Sequence, residues 1–239
     1  MIGKHWIWLG AAALAAIAAL APPFDRLADA SFAWHMAQHL VIFYVVGLCV
    51  LLARPFDLYA RLAGKRAVAG FVRATRPLHH LASPPVALTL FIATLWATHF
   101  SPLYELSLEH EWIHACEHLL YLAAGLVFWM PVVGPPPLRP LAYPARMLYL
   151  VLALPQGALL GMVIASARRP LYAHYAAAAP SPSAALSDQG NAAAVMWILG
   201  GLVVFAALLI TLALWARREE EGGLGLDSLQ LHDAETRSV

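Results

Sequence analysis

The sequence predicts an all-α fold, a polytopic transmembrane bundle of about six helices. Of its 239 residues, 61% are hydrophobic and 12% are charged, and the mean hydropathy is +0.67. A soluble domain of this size needs more polar surface than such a composition supplies. The apolar runs are long enough to cross the hydrocarbon core as helices, which satisfy every backbone hydrogen bond within lipid.

Polar or proline-rich segments separate the apolar runs and define the predicted spans. The first run follows Lys4 and also resembles a secretory signal peptide, with Ala19-Leu20-Ala21 in the place of a cleavage site. Pro22 directly after that site disfavours cleavage, so we expect a retained first helix. The predicted spans are residues 5–22, 35–53, 85–100, 113–133, 146–167 and 193–216.

Two further segments are predicted to lack regular structure. Residues 176–190 are rich in alanine, serine and proline, which is typical of a mobile loop between spans. Residues 219–239 are polar and contain glycine, which predicts a disordered tail. The helix bundle is therefore expected to occupy residues 1–218 and the tail residues 219–239.

The basic residues predict how the bundle is oriented. Of the 15 lysines and arginines, only Arg26, Arg168 and Arg169 fall on one side of the six-span topology, which leaves 12 on the other. By the positive-inside rule both termini face the cytoplasm, and segments 23–34 and 101–112 lie outside. The basic residues sit in short loops and form no stripe on a folded domain, so the bilayer, and no nucleic acid, is the expected partner surface.

Histidines recur near the outer ends of the predicted spans. His35 and His39 open the second span, His114 and His118 open the fourth, and His99 closes the third. Residues four apart lie on one helix face. A histidine inside a membrane is costly unless it has a partner, and imidazole is a frequent ligand for copper, zinc and haem iron. These five histidines are predicted to form a metal site if the three helices are neighbours.

Four other residues are candidates for additional ligands or supporting roles. Glu117 follows His114 by three positions and can bind the metal or fix the tautomer of an imidazole. Met36 and Met196 carry thioethers suited to Cu(I), although methionine more often fills a core. His110 extends the histidine stripe by one turn into the external segment, where solvent exposure is the alternative.

The residues leave two other functions open. His114, Glu117 and His118 fit the H-x-x-E-H pattern of inverted zinc peptidases, in which the glutamate is a general base. Paired histidines on facing helices also ligate haem, which would make an electron-transfer or haem-handling protein. Zinc and haem therefore stand as alternatives to copper.

Several short segments form a further pattern through their order and spacing. They are His35-Met36-Ala37-Gln38-His39-Leu40, Thr98-His99-Phe100-Ser101-Pro102-Leu103-Tyr104, Trp112-Ile113-His114 with Glu117-His118, Gly125-Leu126-Val127-Phe128-Trp129-Met130-Pro131, Pro170-Leu171-Tyr172 with Tyr175, and Asp188-Gln189 with Met196-Trp197. Together these segments resemble the polytopic CtaG family of cytochrome c oxidase assembly factors. The resemblance implies a non-enzymatic protein of the bacterial inner membrane, required for maturation of a haem-copper oxidase. It also implies handling of copper for the oxidase subunit that carries the buried copper site.

Overall fold

The computed structural model describes the backbone of residues 2–136 and 138–237, and their side chains except at 2–4, 58, 61–62, 65, 75–78 and 222–237. Every regular element in this part of the chain is helical, which confirms the predicted all-α class. In chain order the elements are α1 (Ile2–Leu20), α2 (Pro22–Ala30), α3 (Phe32–Leu40), a π turn (Val41–Val46), α4 (Gly47–Leu52), α5 (Pro55–Thr75), a 3₁₀ segment (Arg76–Ala82), α6 (Pro84–Phe100), α7 (Pro102–Glu109), α8 (Glu111–Val133), α9 (Tyr143–Ser166), α10 (Ala173–Ala178) and α11 (Pro182–Arg237).

Between four and six of these helical segments are long and apolar enough to span a membrane. Four qualify alone, at Phe32–Asp57, Glu111–Val133, Tyr143–Ser166 and Pro182–Glu221. Two bent pairs bring the number to six if each pair is one span: α1 with α2, bent by 48°, and α6 with α7, bent by 67°. All six fall on the apolar runs from which the bundle was predicted.

The prediction of an unstructured loop over residues 176–190 is wrong. Helix α10 continues to Ala178, and α11 begins at Pro182. Ser181 Oγ accepts a hydrogen bond from Ala184 N at 3.2 Å, so it caps a helix whose first residue is a proline. Both features favour helix initiation, and alanine has the highest helix propensity. A disordered tail was predicted over residues 219–239, whereas the described backbone continues as helix α11 to Arg237. The division of the chain into a bundle and a tail stays a prediction.

Glycines allow the closest helix contacts in the bundle. A Cβ atom on Gly125 of α8 would lie 2.2 Å from the Phe43 carbonyl oxygen in the π turn. A Cβ on Gly161 of α9 would lie 2.8 Å from the Ala193 carbonyl oxygen of α11. Lipid tails are as apolar as the helix surfaces, so the hydrophobic effect does not drive helices together within a membrane. Helices associate there through close packing, which small residues such as these glycines permit. The Gly125 contact holds the second and fourth predicted spans side by side, and the Gly161 contact does the same for the fifth and sixth.

The π turn begins at Val41, just after His39 and Leu40, and its hydrogen bonds span one residue more than those of an α-helix. Trp129, 1% exposed, donates its indole N–H to the Tyr44 carbonyl oxygen at 3.1 Å across the interface. Phe43 and Phe128 pack around this bond, with ring centroids 5.6 Å apart. Single π turns inside α-helices are frequent next to functional sites. Here the turn carries the backbone from the histidine face to the close contact at Gly125.

Candidate metal centre

Three of the predicted histidines converge from two adjacent helices. His35 and His39 of α3 and His114 of α8 each offer one ring nitrogen, and these nitrogens lie within 4.8 Å of one another. His118 lies beside this group of three: its ring centroid is 4.2 Å from that of His114 and 5.3 Å from that of His39. We call His35, His39, His114 and His118 the imidazole cluster. Of the three spans that were assumed to be neighbours, the second and fourth therefore bring their histidines together.

The nitrogens of this cluster lack hydrogen-bond partners within the described structure. Both ring nitrogens of His35 and of His39 are buried and unpartnered, as are Nε2 of His114 and Nε2 of His118. His35 is 0% exposed and His39 is 2% exposed. Buried polar atoms are nearly always paired, and each unpaired one costs about 1–3 kcal/mol. Such a concentration of lone pairs in one place is what a bound cation would satisfy.

The spacing of the nitrogens is close to that of a first coordination shell. Imidazole nitrogens bind zinc at about 2.0 Å, so two of them on one ion lie roughly 3.3 Å apart at a tetrahedral angle and about 4 Å apart when linear. The separation of at most 4.8 Å needs a closure of about 1 Å to reach this range. A set of neutral imidazoles suits copper or zinc and does not suit magnesium or calcium.

Glu117 places a carboxylate on the same helix, between the two histidines of α8. Its side chain is 2% exposed, and neither carboxylate oxygen has a hydrogen-bond partner among the described residues. A buried carboxylate without a partner is costly. A cation in the imidazole cluster would supply the compensating charge, so Glu117 fits either of the roles predicted for it.

Helix α3 is anchored at its N-terminus by an aspartate from a distant helix. Asp188 of α11 accepts hydrogen bonds from Ser31 Oγ at 2.7 Å and from Phe32 N at 2.6 Å. A third, longer bond of 3.4 Å comes from Ala33 N. A carboxylate at a helix N-terminus satisfies unpaired N–H groups and interacts favourably with the helix dipole. Asp188 therefore fixes the helix that carries His35 and His39.

Other polar contacts hold the rings of the cluster in place. Gln38, 0% exposed, donates from Nε2 to Asp25 Oδ1 at 3.1 Å and to the Ala19 carbonyl oxygen at 3.0 Å, which ties α3 to α1 and α2. The Tyr121 ring stacks on that of His39 with centroids 4.2 Å apart. The Tyr121 hydroxyl lies 2.8 Å from Thr98 Oγ1.

The segment between α9 and α11 closes over one end of the bundle. Gln189 accepts from Leu171 N at 2.8 Å through Oε1 and donates from Nε2 to the Ile164 carbonyl oxygen at 3.1 Å. Tyr172 donates its hydroxyl to the His99 carbonyl oxygen at 3.0 Å. Burial raises the pKa of Tyr172, so its hydroxyl keeps the proton that it donates. Together these bonds pin residues 164–172 against α6 and α11.

The remaining predicted residues lie at the edge of the imidazole cluster or outside it. The Nε2 atom of His99 lies 3.2 Å from Met36 Sδ, and both residues line a cavity together with Met196 and His39. His110 is exposed at the N-cap position of α8. Cys116, on the same helix, is also exposed. The five-histidine set thus divides into a cluster of four and His99 with its methionine.

Sequence reasoning missed the residues that support the site. Asp188, Gln189 and Gln38 act through contacts between helices, and Asp188 lies more than 150 positions from the backbone that it caps. Ser31 before the second span was the one local signal of a capped helix start. No periodicity links it to its distant partner.

The family model for the cytochrome c oxidase caa3 assembly factor (Caa3_CtaG) matches residues 1–218. The chain belongs to this family. The predicted resemblance is thereby confirmed, and with it the assignment to the cytochrome c oxidase assembly factors. The match covers all of the helices that contribute to the imidazole cluster.

Three curated relatives of this family member, all from mycobacteria, are named only as uncharacterized proteins. Proteins of Mycobacterium bovis and Mycobacterium tuberculosis are each 25% identical over 203 residues, and one of Mycobacterium leprae is 24% identical over 203 residues. Each match covers 80% of this chain and 31% of the relative. The chain thus spans about a third of the length of these relatives. No solved structure matches it.

Proposed function

We propose that this assembly factor binds copper through His35, His39, His114 and His118 and delivers it to the buried copper site of a haem-copper oxidase. The observation that carries the proposal is the set of buried, unpartnered ring nitrogens that meet from α3 and α8 within the described structure. Imidazoles bind copper well, and a haem-copper oxidase needs copper for its maturation. The role is binding and transfer, without catalysis.

The geometry gives less support to the two alternative functions. A zinc peptidase of the H-x-x-E-H type would bind its ion through His114 and His118 with Glu117 as the base, whereas the nitrogens that converge most closely are those of His35, His39 and His114. The cavity beside the cluster measures about 30 Å³, enough for water molecules or an ion but far below the size of ligand pockets that take a large cofactor such as haem. The metal content and the optical spectrum of the purified protein distinguish zinc-dependent peptide hydrolysis and haem binding from copper binding.

A cleft next to His114 provides access for the ion. It is lined by Asp29, Glu109, Glu111 and His174 together with Ser107. The carboxylates attract cations toward the entrance of the cleft. His114 also lines the cleft, and its ring stacks on the ring of His35 with the centroids 5.0 Å apart. Copper entering here meets the imidazoles one after another. Surplus ligands of this kind allow stepwise exchange to a partner.

The distribution of basic residues sets the cellular context of the proposal. With 12 of 15 lysines and arginines on one side, the cluster lies near the outer side of the bacterial inner membrane. The partner is the oxidase subunit that carries the buried copper site, reached within the same bilayer. The copper donor would approach from the outer side, through the acidic cleft.

The proposal is tested in cells by following the oxidase. His35→Ala and His114→Ala are compared with His110→Ala, which removes an exposed histidine outside the cluster. We expect the first two variants to lower the copper content and activity of the oxidase while the third leaves both unchanged. Assembly factor levels in the membrane are measured in parallel to separate loss of the site from loss of the protein. Normal oxidase copper in both cluster variants would contradict the proposal.

A further inference from the structure

Met36, His99 and Met196 line a cavity that His39 also reaches and His114 does not. The cavity of about 30 Å³ is lined by all three side chains and by His39 and Tyr121. Met36 is 2% exposed, Met196 3% and His99 3%, so they are shielded from water. The three residues come from α3, α6 and α11 and are held together by the tertiary structure alone.

The hydrogen bonds of His99 determine which of its nitrogens carries the proton. Nδ1 lies 2.7 Å from the Leu95 carbonyl oxygen, which can only accept a hydrogen bond, so Nδ1 carries the proton. Thr98 Oγ1 lies 3.2 Å from the same nitrogen and donates its own proton to the Thr94 carbonyl oxygen at 2.8 Å. The neutral ring therefore presents a lone pair at Nε2.

This lone pair faces a second electron donor. Nε2 lies 3.2 Å from Met36 Sδ, and a thioether sulfur has no proton to give. Two Lewis bases thus face each other at a largely apolar cavity without a hydrogen-bond donor between them. The separation is slightly below the roughly 3.5 Å expected between nitrogen and sulfur on one tetrahedral ion with bonds of about 2.0 and 2.3 Å. A monovalent soft cation is the species that would relieve this arrangement.

We propose that His99 Nε2, Met36 Sδ and Met196 Sδ form a second site, selective for Cu(I), which we call the thioether site. The identity of the ion as copper rests on the proposed function. The position of the thioether site rests on the cavity and on the geometry of His99. Thioethers and a single neutral imidazole favour Cu(I) over divalent ions, which prefer the nitrogen-rich cluster. No charged side chain lines the cavity, and a monovalent ion costs least to place there.

His39 links the thioether site to the imidazole cluster. Its ring lies within 5.3 Å of the His118 ring, and the side chain also lines the cavity that holds Met36 and His99. A Cu(I) ion passes between the two sites by exchange of ligands at His39, with no change of oxidation state. The two sites therefore form one path with a shared residue.

The test compares a Met36→Leu, Met196→Leu double variant with Met162→Leu. Leucine conserves volume and removes sulfur, so the packing is retained. Met162 is 56% exposed on α9 and serves as the matched control. Ag(I), a redox-inert substitute for Cu(I), is titrated into detergent-purified protein, and Cu(I)-loaded samples are studied by X-ray absorption. Cu(II) is titrated separately to report on the imidazole cluster.

We expect the double variant to bind one Ag(I) per chain fewer than the control and to lose the sulfur ligands of Cu(I), while Cu(II) binding is unchanged. Equal Ag(I) binding in the two variants, or no sulfur ligand in the parent protein, would overturn the thioether site. Loss of Cu(II) binding in the double variant would also overturn it as a separate site. If the parent binds no Cu(II) and yet binds Ag(I) through sulfur, the imidazole cluster fails and the thioether site stands.

Discussion

Substitution of Gly125 by alanine should disturb the metal centre without touching any of its ligands. The new Cβ would lie 2.2 Å from the Phe43 carbonyl oxygen and 2.9 Å from its carbonyl carbon. Ordinary van der Waals contact starts at 3.4 Å, so the oxygen contact is short by 1.2 Å. The obstructing atoms belong to the backbone and cannot rotate away. Helix α8 must therefore move from the π turn.

The magnitude follows from two opposing terms. Overpacking of this kind costs about 1–3 kcal/mol. Alanine in place of glycine inside a helix stabilises the helix by about 1 kcal/mol. The net loss of stability is then at most about 2 kcal/mol, and the 2.2 Å backbone contact favours the upper end of that range. The same movement separates His39 from His118, whose rings lie 5.3 Å apart across this interface, and displaced supporting contacts weaken metal sites by about 10–100-fold.

Gly201→Ala provides the matched control, because nothing lies within 4 Å of the Cβ that it adds on α11. Thermal unfolding in detergent and competition for Cu(II) with a chelator are measured for both variants. We expect Gly125→Ala to melt lower and to bind Cu(II) at least about tenfold more weakly than Gly201→Ala. Identical affinities and melting temperatures would refute the claim that this close contact sets the spacing of the cluster.

Three further substitutions test the supporting contacts. Asp188→Ala removes the acceptor for Ser31 Oγ and Phe32 N, so it should lower the free energy of unfolding by about 1–3 kcal/mol and weaken Cu(II) binding. The control, Asp57→Ala, breaks only a partly exposed ion pair and should lower the free energy of unfolding by less than about 1 kcal/mol. Trp129→Phe removes the indole N–H bonded to the π turn and should lower stability by about 1 kcal/mol in thermal unfolding with unchanged metal content. Gln189→Leu frees Leu171 N and should speed backbone hydrogen exchange over residues 167–172 without altering Cu(II) affinity.

The parts of the fold that depend on local sequence were predictable. Hydropathy located the helices because each apolar run must satisfy its own backbone in lipid. The four-residue spacing of His35 with His39, and of His114 with His118, fixed which faces carry imidazoles. The prediction failed at residues 176–190, where the capping Ser181 and the proline at 182 start a helix that composition alone indicated as a loop.

The parts that depend on how helices rotate against each other were not predictable. His99 shares the depth of the other histidines, but its ring is turned toward Met36, and only the packing of α6 against α3 and α8 decides this. The cap by Asp188 joins α11 to the start of α3. The π turn after His39 could not be predicted from the amino-acid sequence of Val41–Val46. These features arise from tertiary contacts between distant segments.

The central claim is that copper is held by imidazoles from α3 and α8. The most direct test is elemental analysis with an optical spectrum on detergent-purified protein, comparing the parent with a His114→Ala, His118→Ala double variant. About one copper per chain at the cluster in the parent, lost in the variant, with nitrogen ligands by X-ray absorption and no Soret band, is the predicted result. Iron with a Soret band, zinc in place of copper, or equal copper in both proteins would contradict it.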